Sequence, residues 1–147
     1  MIDRSYIGHQ LPAFDVPVEA GRLRFFAKAT GQTDPLYTDE AAARAAGHPG
    51  LLAPPTFLFC LEMESPDPAA IRNLLNMDYR RLLHGEQQFT YHAPVHAGDT
   101  LRFTQRIEDI YDKKGGALEF VVRRTHVQNQ HGTPVAELRC VSVLRNG

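Results

Sequence analysis

Cysteine is scarce in this chain, and its two copies, Cys60 and Cys140, sit in apolar segments without CxxC spacing or clustered histidines. That argues against a disulfide framework or a zinc centre and for free thiols packed as small hydrophobes. An excess of charge is also lacking: 16 Lys+Arg face 17 Asp+Glu, for a formal net charge of -1. No electrostatic basis remains for binding nucleic acid or an anionic membrane. No apolar run approaches the roughly 20 residues that cross a bilayer. The opening MIDRSYIGHQLP has neither a cationic segment followed by an apolar run nor a small-residue cleavage site. The expectation is a cytoplasmic protein. Repeats, low-complexity tracts and linkers are missing too, and 147 residues at 43% hydrophobic and 22% charged content suit one core. A single domain over 1–147 is expected.

What is present is a change of period along the chain. Phe14, Val16 and Val18 alternate as a strand does, and Leu23, Phe26, Ala27 and Thr30 then recur at helical spacing until Gly31. Thr38 or Asp39 can cap an alanine-rich turn through Ala46, closed by Gly47. From Ala53 to Glu64 the chain reads as a helix with almost no polar face: Pro54 and Pro55 suit a first turn, and Phe57, Leu58, Phe59, Cys60, Leu61 and Met63 follow. Asp67 can cap a brief helix with Ile71, Leu74 and Leu75, and a loop through Arg80 and Arg81 follows.

Beyond Leu83 the period becomes two, in Phe89 and Tyr91, in Leu101, Phe103 and Gln105, in Leu118, Phe120 and Val122, and in Ala136, Leu138 and Cys140. Turn compositions separate these strands at 93–99, 112–116 and 129–133. The second half is expected to be an antiparallel meander. A one-sided apolar sheet needs a cover and an all-apolar helix needs a wrapping, so the economical solution is a sheet curled around that helix. This is the α+β hot-dog fold, with the central helix at about Ala53–Glu64.

Three segments, TGQTDPLYTDEAAA (30–43), LLAPPTF (51–57) and LHGEQQFTYHAPVHAGDTL (83–101), resemble MaoC-type dehydratases in this order over most of the chain. APPTF followed by HGEQ and HAGD resembles the N-terminal-type subgroup, the FAS1-like dehydratase domain, which includes flanking subunits of mycobacterial hydroxyacyl-ACP dehydratases. Catalytic members of the wider family interconvert enoyl and (R)-3-hydroxyacyl thioesters with a GDxNPLHxD-like motif whose Asp and His are the working pair. The resemblance puts the motif's glycine at Gly31, its Asp at Gln32, its Asn at Asp34, its Pro at Pro35 and its His at Tyr37. Both catalytic positions are substituted.

Adding or removing water across the α,β bond needs one group that accepts a proton near neutral pH and another that donates one. A Gln amide does neither, and a phenol with a reference pKa of about 10 is a poor base. Family enzymes also polarise the thioester carbonyl with a backbone N–H at the start of the central helix, commonly a glycine's. That place falls on or beside Pro55, which has no N–H, leaving the amide of Thr56 as the alternative. No catalytic residue is therefore expected, with residual roles open to Asp34 and Thr56. Phe26, Tyr37, Pro55, Thr56, Phe57, Leu58 and Leu61 are the candidates for contacting an acyl chain.

The resemblance implies an acyl-CoA- or acyl-ACP-binding subunit of an (R)-specific enoyl-CoA hydratase or 3-hydroxyacyl-thioester dehydratase. It would work as a homodimer, or as a heterodimer with a MaoC-type chain that supplies Asp and His, and it would need no metal or cofactor. Two alternatives stand beside it. Glu62 or Glu64 on the central helix could direct a hydrolytic water, as in hot-dog thioesterases, or the chain could be a non-catalytic acyl-binding module. His84 and Glu86 alternate on a strand without being forced together, and the remaining histidines, among them His48 and His96, fall in turns or on polar faces, where a solvated ring is the default.

Overall fold

A computed structural model describes residues 1–146. The elements run β1 (Phe14–Pro17), α1 (Ala20–Ala29), α2 (Glu40–Ala45), α3 (Phe57–Glu62), α4 (Ala70–Leu74), β2 (Leu82–Tyr91), β3 (Thr100–Lys113), β4 (Leu118–Gln128) and β5 (Pro134–Arg145). The strands form one antiparallel sheet in the order β1-β3-β4-β5-β2, with α3 packed on its apolar face. This is the expected α+β hot-dog architecture. Among the described residues no helix is long and apolar enough to cross a membrane.

The capping signals of α1 and α2 act as anticipated, whereas Asp67 does not cap α4: the cap position is Ala69, without a side-chain cap, and Asp67 accepts the Ala69 N–H ahead of the helix. Asp39, rather than Thr38, accepts the N–H groups of Ala41 and Ala42 at the start of α2, and Gly31 and Gly47 take left-handed conformations (φ 71° and 90°) just beyond α1 and α2.

The meander expectation needs correction. Only β3, β4 and β5 are sequential neighbours; β2 precedes β3 in the chain but pairs with β5 at the far side of the sheet, with Phe89 opposite Leu138 and Tyr91 opposite Ala136. The segment after β2 is therefore a crossover, because its backbone is already engaged: Ala53 N–H donates to the Val95 carbonyl and Ala97 N–H to the Leu51 carbonyl, both at 2.8 Å. The strand-like piece leading into α3 takes the place that a hairpin partner would have had.

The central helix is also shorter than Ala53–Glu64. Residues that precede a proline are pushed away from helical ψ, which acts on Ala53 and Pro54, and Thr56 then adopts φ 72° and interrupts helical geometry. Helix begins at Phe57. The two prolines precede it instead of forming its first turn.

Alternation on β3 turns Leu101, Phe103, Gln105 and Ile107 inward. One apolar cluster gathers Leu23, Phe57, Leu58, Leu61, Phe103 and Leu138 under α1 and α3, and a second gathers Ile2, Leu75, Met77, Ile110, Val121 and Leu144 under the amino terminus and α4. Each such side chain stabilises the fold by about 1.5–3 kcal/mol relative to exposure.

A polar seam joins the two clusters. Glu62, at the last position of α3 and 2% exposed, accepts hydrogen bonds from Gln105 Nε2 (3.0 Å), Arg123 Nη2 (2.8 Å) and the Thr125 hydroxyl. Register places Gln105 opposite Thr125 and Arg123 opposite Ile107, so β3 and β4 present one polar cradle to the helix. The outer face carries a separate ladder in which Glu108 meets Arg124 and Arg139, Arg124 reaches Glu137, and Arg139 reaches Glu86.

Removing one partner from a buried pair leaves a charge without compensation. Arg123→Ala should therefore lower the unfolding free energy by about 3–5 kcal/mol in urea titrations. Arg4→Ala, which removes a surface pair with Asp112, should change it by less than about 1 kcal/mol.

Candidate functional site

Two backbone pieces flank a mainly apolar cleft of about 390 Å³, with residues 52–55 and Leu58 on one wall and residues 91–95 on the other. That volume lies in the range of small-molecule sites. The walls are fixed by the 51–53/95–97 backbone pairing, by His92 N–H donating to the Val135 carbonyl at 2.8 Å, and by the packing of Leu58 in the core.

The polar feature of the cleft is a contact between its two rims. Pro54 and Pro55 have no N–H, so the first main-chain donor of this turn belongs to Thr56, and it donates to the Tyr91 hydroxyl at 2.8 Å. Tyr91 is held from behind by stacking on Phe89, with centroids 6.0 Å apart and planes 3° from parallel. Burial pushes the Tyr91 phenol up, the Thr56 N–H opposes this, and the neighbouring Tyr37 phenol adds to it. The net rise keeps Tyr91 protonated at neutral pH.

The candidate residues from the sequence are divided by the fold. Pro55 and Leu58 line the cleft. Thr56 meets it through its N–H on Tyr91, and Tyr37 ends a 3-10 turn (Pro35–Tyr37) beside Tyr91. Phe57 and Leu61 are buried in the core, and Phe26 packs on Phe57 with ring centroids 5.0 Å apart.

Gln32 makes a local contact: its side-chain carbonyl accepts the Asp34 N–H at 3.2 Å, and Asp34 in turn accepts the Leu36 N–H at 2.9 Å as the cap of the 3-10 turn. Glu62 is committed to the polar seam, and Glu64 pairs with Arg22 at the surface. His84 and Glu86 are separated by a bulge at Gly85. His84 meets Phe59 of α3 edge-on, while Glu86 joins Arg139 in the outer ladder. Cys60 and Cys140 are free thiols, Cys60 only half-buried and Cys140 buried.

Sequence reasoning missed Tyr91 and His92 as cleft residues, and it left His48 and His96 solvated. The fold brings these last two together, with His48 Nδ1 3.1 Å from His96 Nε2 and the His96 main-chain N–H donating to Asp99 at 2.8 Å. The pair ties the 47–50 loop to the crossover, behind the cleft wall. No group of three metal-ligating side chains converges among the described residues.

A family model for the FAS1-like dehydratase domain region matches residues 5–138. The chain belongs to this family, and it shares its fold with a solved MaoC-like dehydratase. A UPF0336 protein from Saccharopolyspora erythraea is 37% identical to this FAS1-like dehydratase domain over 147 residues, covering 98% of the chain and 92% of that protein. Among solved structures, a chain of the Mycobacterium tuberculosis HadBC (3R-hydroxyacyl-ACP dehydratase) complex superposes with a TM-score of 0.80 at 26% identity, covering 94% of this chain and 96% of that one. A chain of the M. tuberculosis ChsH1-ChsH2 complex shares the fold, with a TM-score of 0.75 at 24% identity over 93% of this chain and 89% of that one.

Two outcomes follow from the site. Thr56 is β-branched and left-handed, a conformation that costs an L-residue about 1–2 kcal/mol and that glycine adopts freely. Thr56→Gly should be neutral or stabilising by up to about 1 kcal/mol in thermal unfolding, once the flexibility of glycine in the unfolded chain is set against the relieved strain.

Burial pushes His96 below its ordinary value of 6.5, Asp99 opposes this and His48 adds to it. The unfolded chain then takes up this proton before the folded one. The contribution to stability is complete above pH 6.5 and is lost as pH falls from there toward the folded value. Urea midpoints should drop between pH 7.5 and 5.5, and His96→Gln should flatten that dependence.

Proposed function

We propose that this FAS1-like dehydratase domain is the acyl-thioester-binding subunit of an (R)-specific hydratase/dehydratase, and that a partner MaoC-type chain supplies the proton transfers. The observation that carries this reading is the occupancy of the two motif positions. An amide, Gln32, already accepts a backbone N–H, and a phenol, Tyr37, stands where an imidazole would be needed. An amide has no acid–base function to offer and a phenol is by nature a poor base, whereas hydration demands both a general base and a general acid.

Partnering is supported from two sides. Strand β2 has no neighbour on its outer edge among the described residues, and Leu83 and Tyr91 on that strand are 51% and 48% exposed. Such an edge is completed by a second sheet. Both mycobacterial proteins above are two-component complexes by their own names, HadBC and ChsH1-ChsH2. The acyl chain would lie against the apolar cleft, carried on CoA or an acyl carrier protein, with the whole 1–147 chain acting as one unit in the cytosol and without a cofactor.

A thioesterase reading needs a carboxylate free to direct water at the cleft. Glu62 is bound on three sides within the core, and Glu64 is engaged by Arg22. The binding-subunit reading is therefore favoured.

The test is hydration of crotonyl-CoA and a longer enoyl-CoA by the chain alone and after co-expression with a MaoC-type protein that has an intact Asp/His motif. The lone chain should remain at background, and the complex should exceed it by about two to four orders of magnitude. Vigorous turnover by the isolated chain, abolished in Tyr37→Phe, would sink the proposal.

A further inference from the structure

The cleft is lined mainly by apolar side chains, with His92 beside Tyr91 on one wall, and its rims are bridged by one hydrogen bond, from Thr56 N–H to the Tyr91 hydroxyl. A phenol oxygen accepts through its lone pairs and donates through its single proton. Here the accepting side is occupied by Thr56, and among the described residues no acceptor takes the proton. The hydroxyl belongs to a residue that lines the cleft, its ring is fixed by Phe89, and the bond it accepts polarises it into a stronger donor.

We propose, resting on the acyl-binding reading above, that Tyr91 is the specificity-determining residue of the cleft and donates its phenolic proton to the carbonyl oxygen of a bound acyl thioester. The main-chain N–H of Thr56 then acts through Tyr91, as a positioning group one bond removed from the ligand. This arrangement selects a neutral carbonyl. A thioether offers no acceptor of comparable strength, and a free carboxylate would bury its charge on walls that carry no Lys or Arg. Tyr91 thus lets the cleft read the thioester group while its apolar walls read only the hydrocarbon.

The experiment is calorimetric binding of two matched pairs, octanoyl-CoA against S-octyl-CoA and hexadecanoyl-CoA against S-hexadecyl-CoA, each pair differing only in the carbonyl. Wild type should bind the thioester about five- to tenfold more tightly than the thioether, as one net hydrogen bond implies. Tyr91→Phe should bind both with the affinity that wild type shows for the thioether. A packing or capping role for Tyr91 would weaken both ligands alike.

Carbonyl preference retained in Tyr91→Phe overturns the proposal, as does tighter thioester binding by that variant, which would mean that the hydroxyl had been blocking the Thr56 N–H. Should Tyr91→Phe fail to fold, equal affinity of wild type for thioester and thioether overturns it as well. If wild type binds none of the four compounds, the acyl-binding reading fails together with this one. Thioester binding with discrimination unchanged by the substitution removes only the role of Tyr91.

Discussion

The buried carboxylate of Glu62 sets where everything else in this domain can be. It sits at the last position of the central helix, in contact with Gln105, Arg123 and Thr125 on two adjacent strands. A buried ion pair is poor evidence for net stability, because desolvating both charges offsets most of their attraction. Its effect here is positional. Sliding or rotating α3 by one residue would strand an acid in one place and a guanidinium in another, each at a cost of several kcal/mol. The apolar contacts of Phe57, Leu58 and Leu61 favour burial without choosing between neighbouring registers, whereas the three-point attachment of Glu62 chooses one.

That choice propagates to the opposite end of the helix. A six-residue helix pinned at Glu62 delivers Thr56 to a fixed point, where its N–H meets the Tyr91 hydroxyl. Tyr91 is placed independently, by its register opposite Ala136 on β5 and by its stacking on Phe89. The cleft between them therefore has its depth set by the core and its polar point set by the sheet. The strained backbone at Thr56 belongs to the same construction: the two prolines remove the donors immediately before it, and the left-handed turn carries the next N–H to the rim.

Element types were legible in the sequence because period and caps are local signals. The two-residue alternation of β3 and β5, the Asp39 cap and the Gly31 and Gly47 stops reappear in the structure, whereas on β4 the buried face changes phase between Val121 and Val122 and leaves Leu118 and Phe120 half-buried. Pairing was not legible where it depended on competition between distant segments. Nothing local in 93–99 says that its backbone bonds to 51–53 instead of forming a hairpin, and that non-local choice moved β2 across the sheet and made Tyr91 and His92 cleft residues. The His48–His96 contact was hidden for the same reason, since 48 positions separate two rings that touch only because the two loops pair. Glu62 stands near the end of an apolar helix, and nothing in its position alone marks it as buried. Its partners alternate on strands more than 40 residues away, where a polar residue at an inward position, Gln105 or Thr125, was the available signal.

On the proposed reading, a neutral site lets binding and catalysis be divided between two chains. Recognising a thioester requires an apolar groove and a donor that stays protonated, and the raised Tyr91 phenol provides one across the physiological range. Moving protons between a carbon acid and water requires instead a base and an acid held against each other with affinities near the ambient pH. His92, the one imidazole on the cleft, has no carboxylate hydrogen-bonded to it among the described residues, and the acids nearest to it in the chain are engaged elsewhere, Glu86 with Arg139 and Asp99 with the His96 main-chain N–H. Placing a charged couple here would cost desolvation within the same apolar walls that are proposed to take the acyl chain. A two-chain enzyme avoids that conflict by letting one subunit keep the groove neutral while the other carries the ionisable pair.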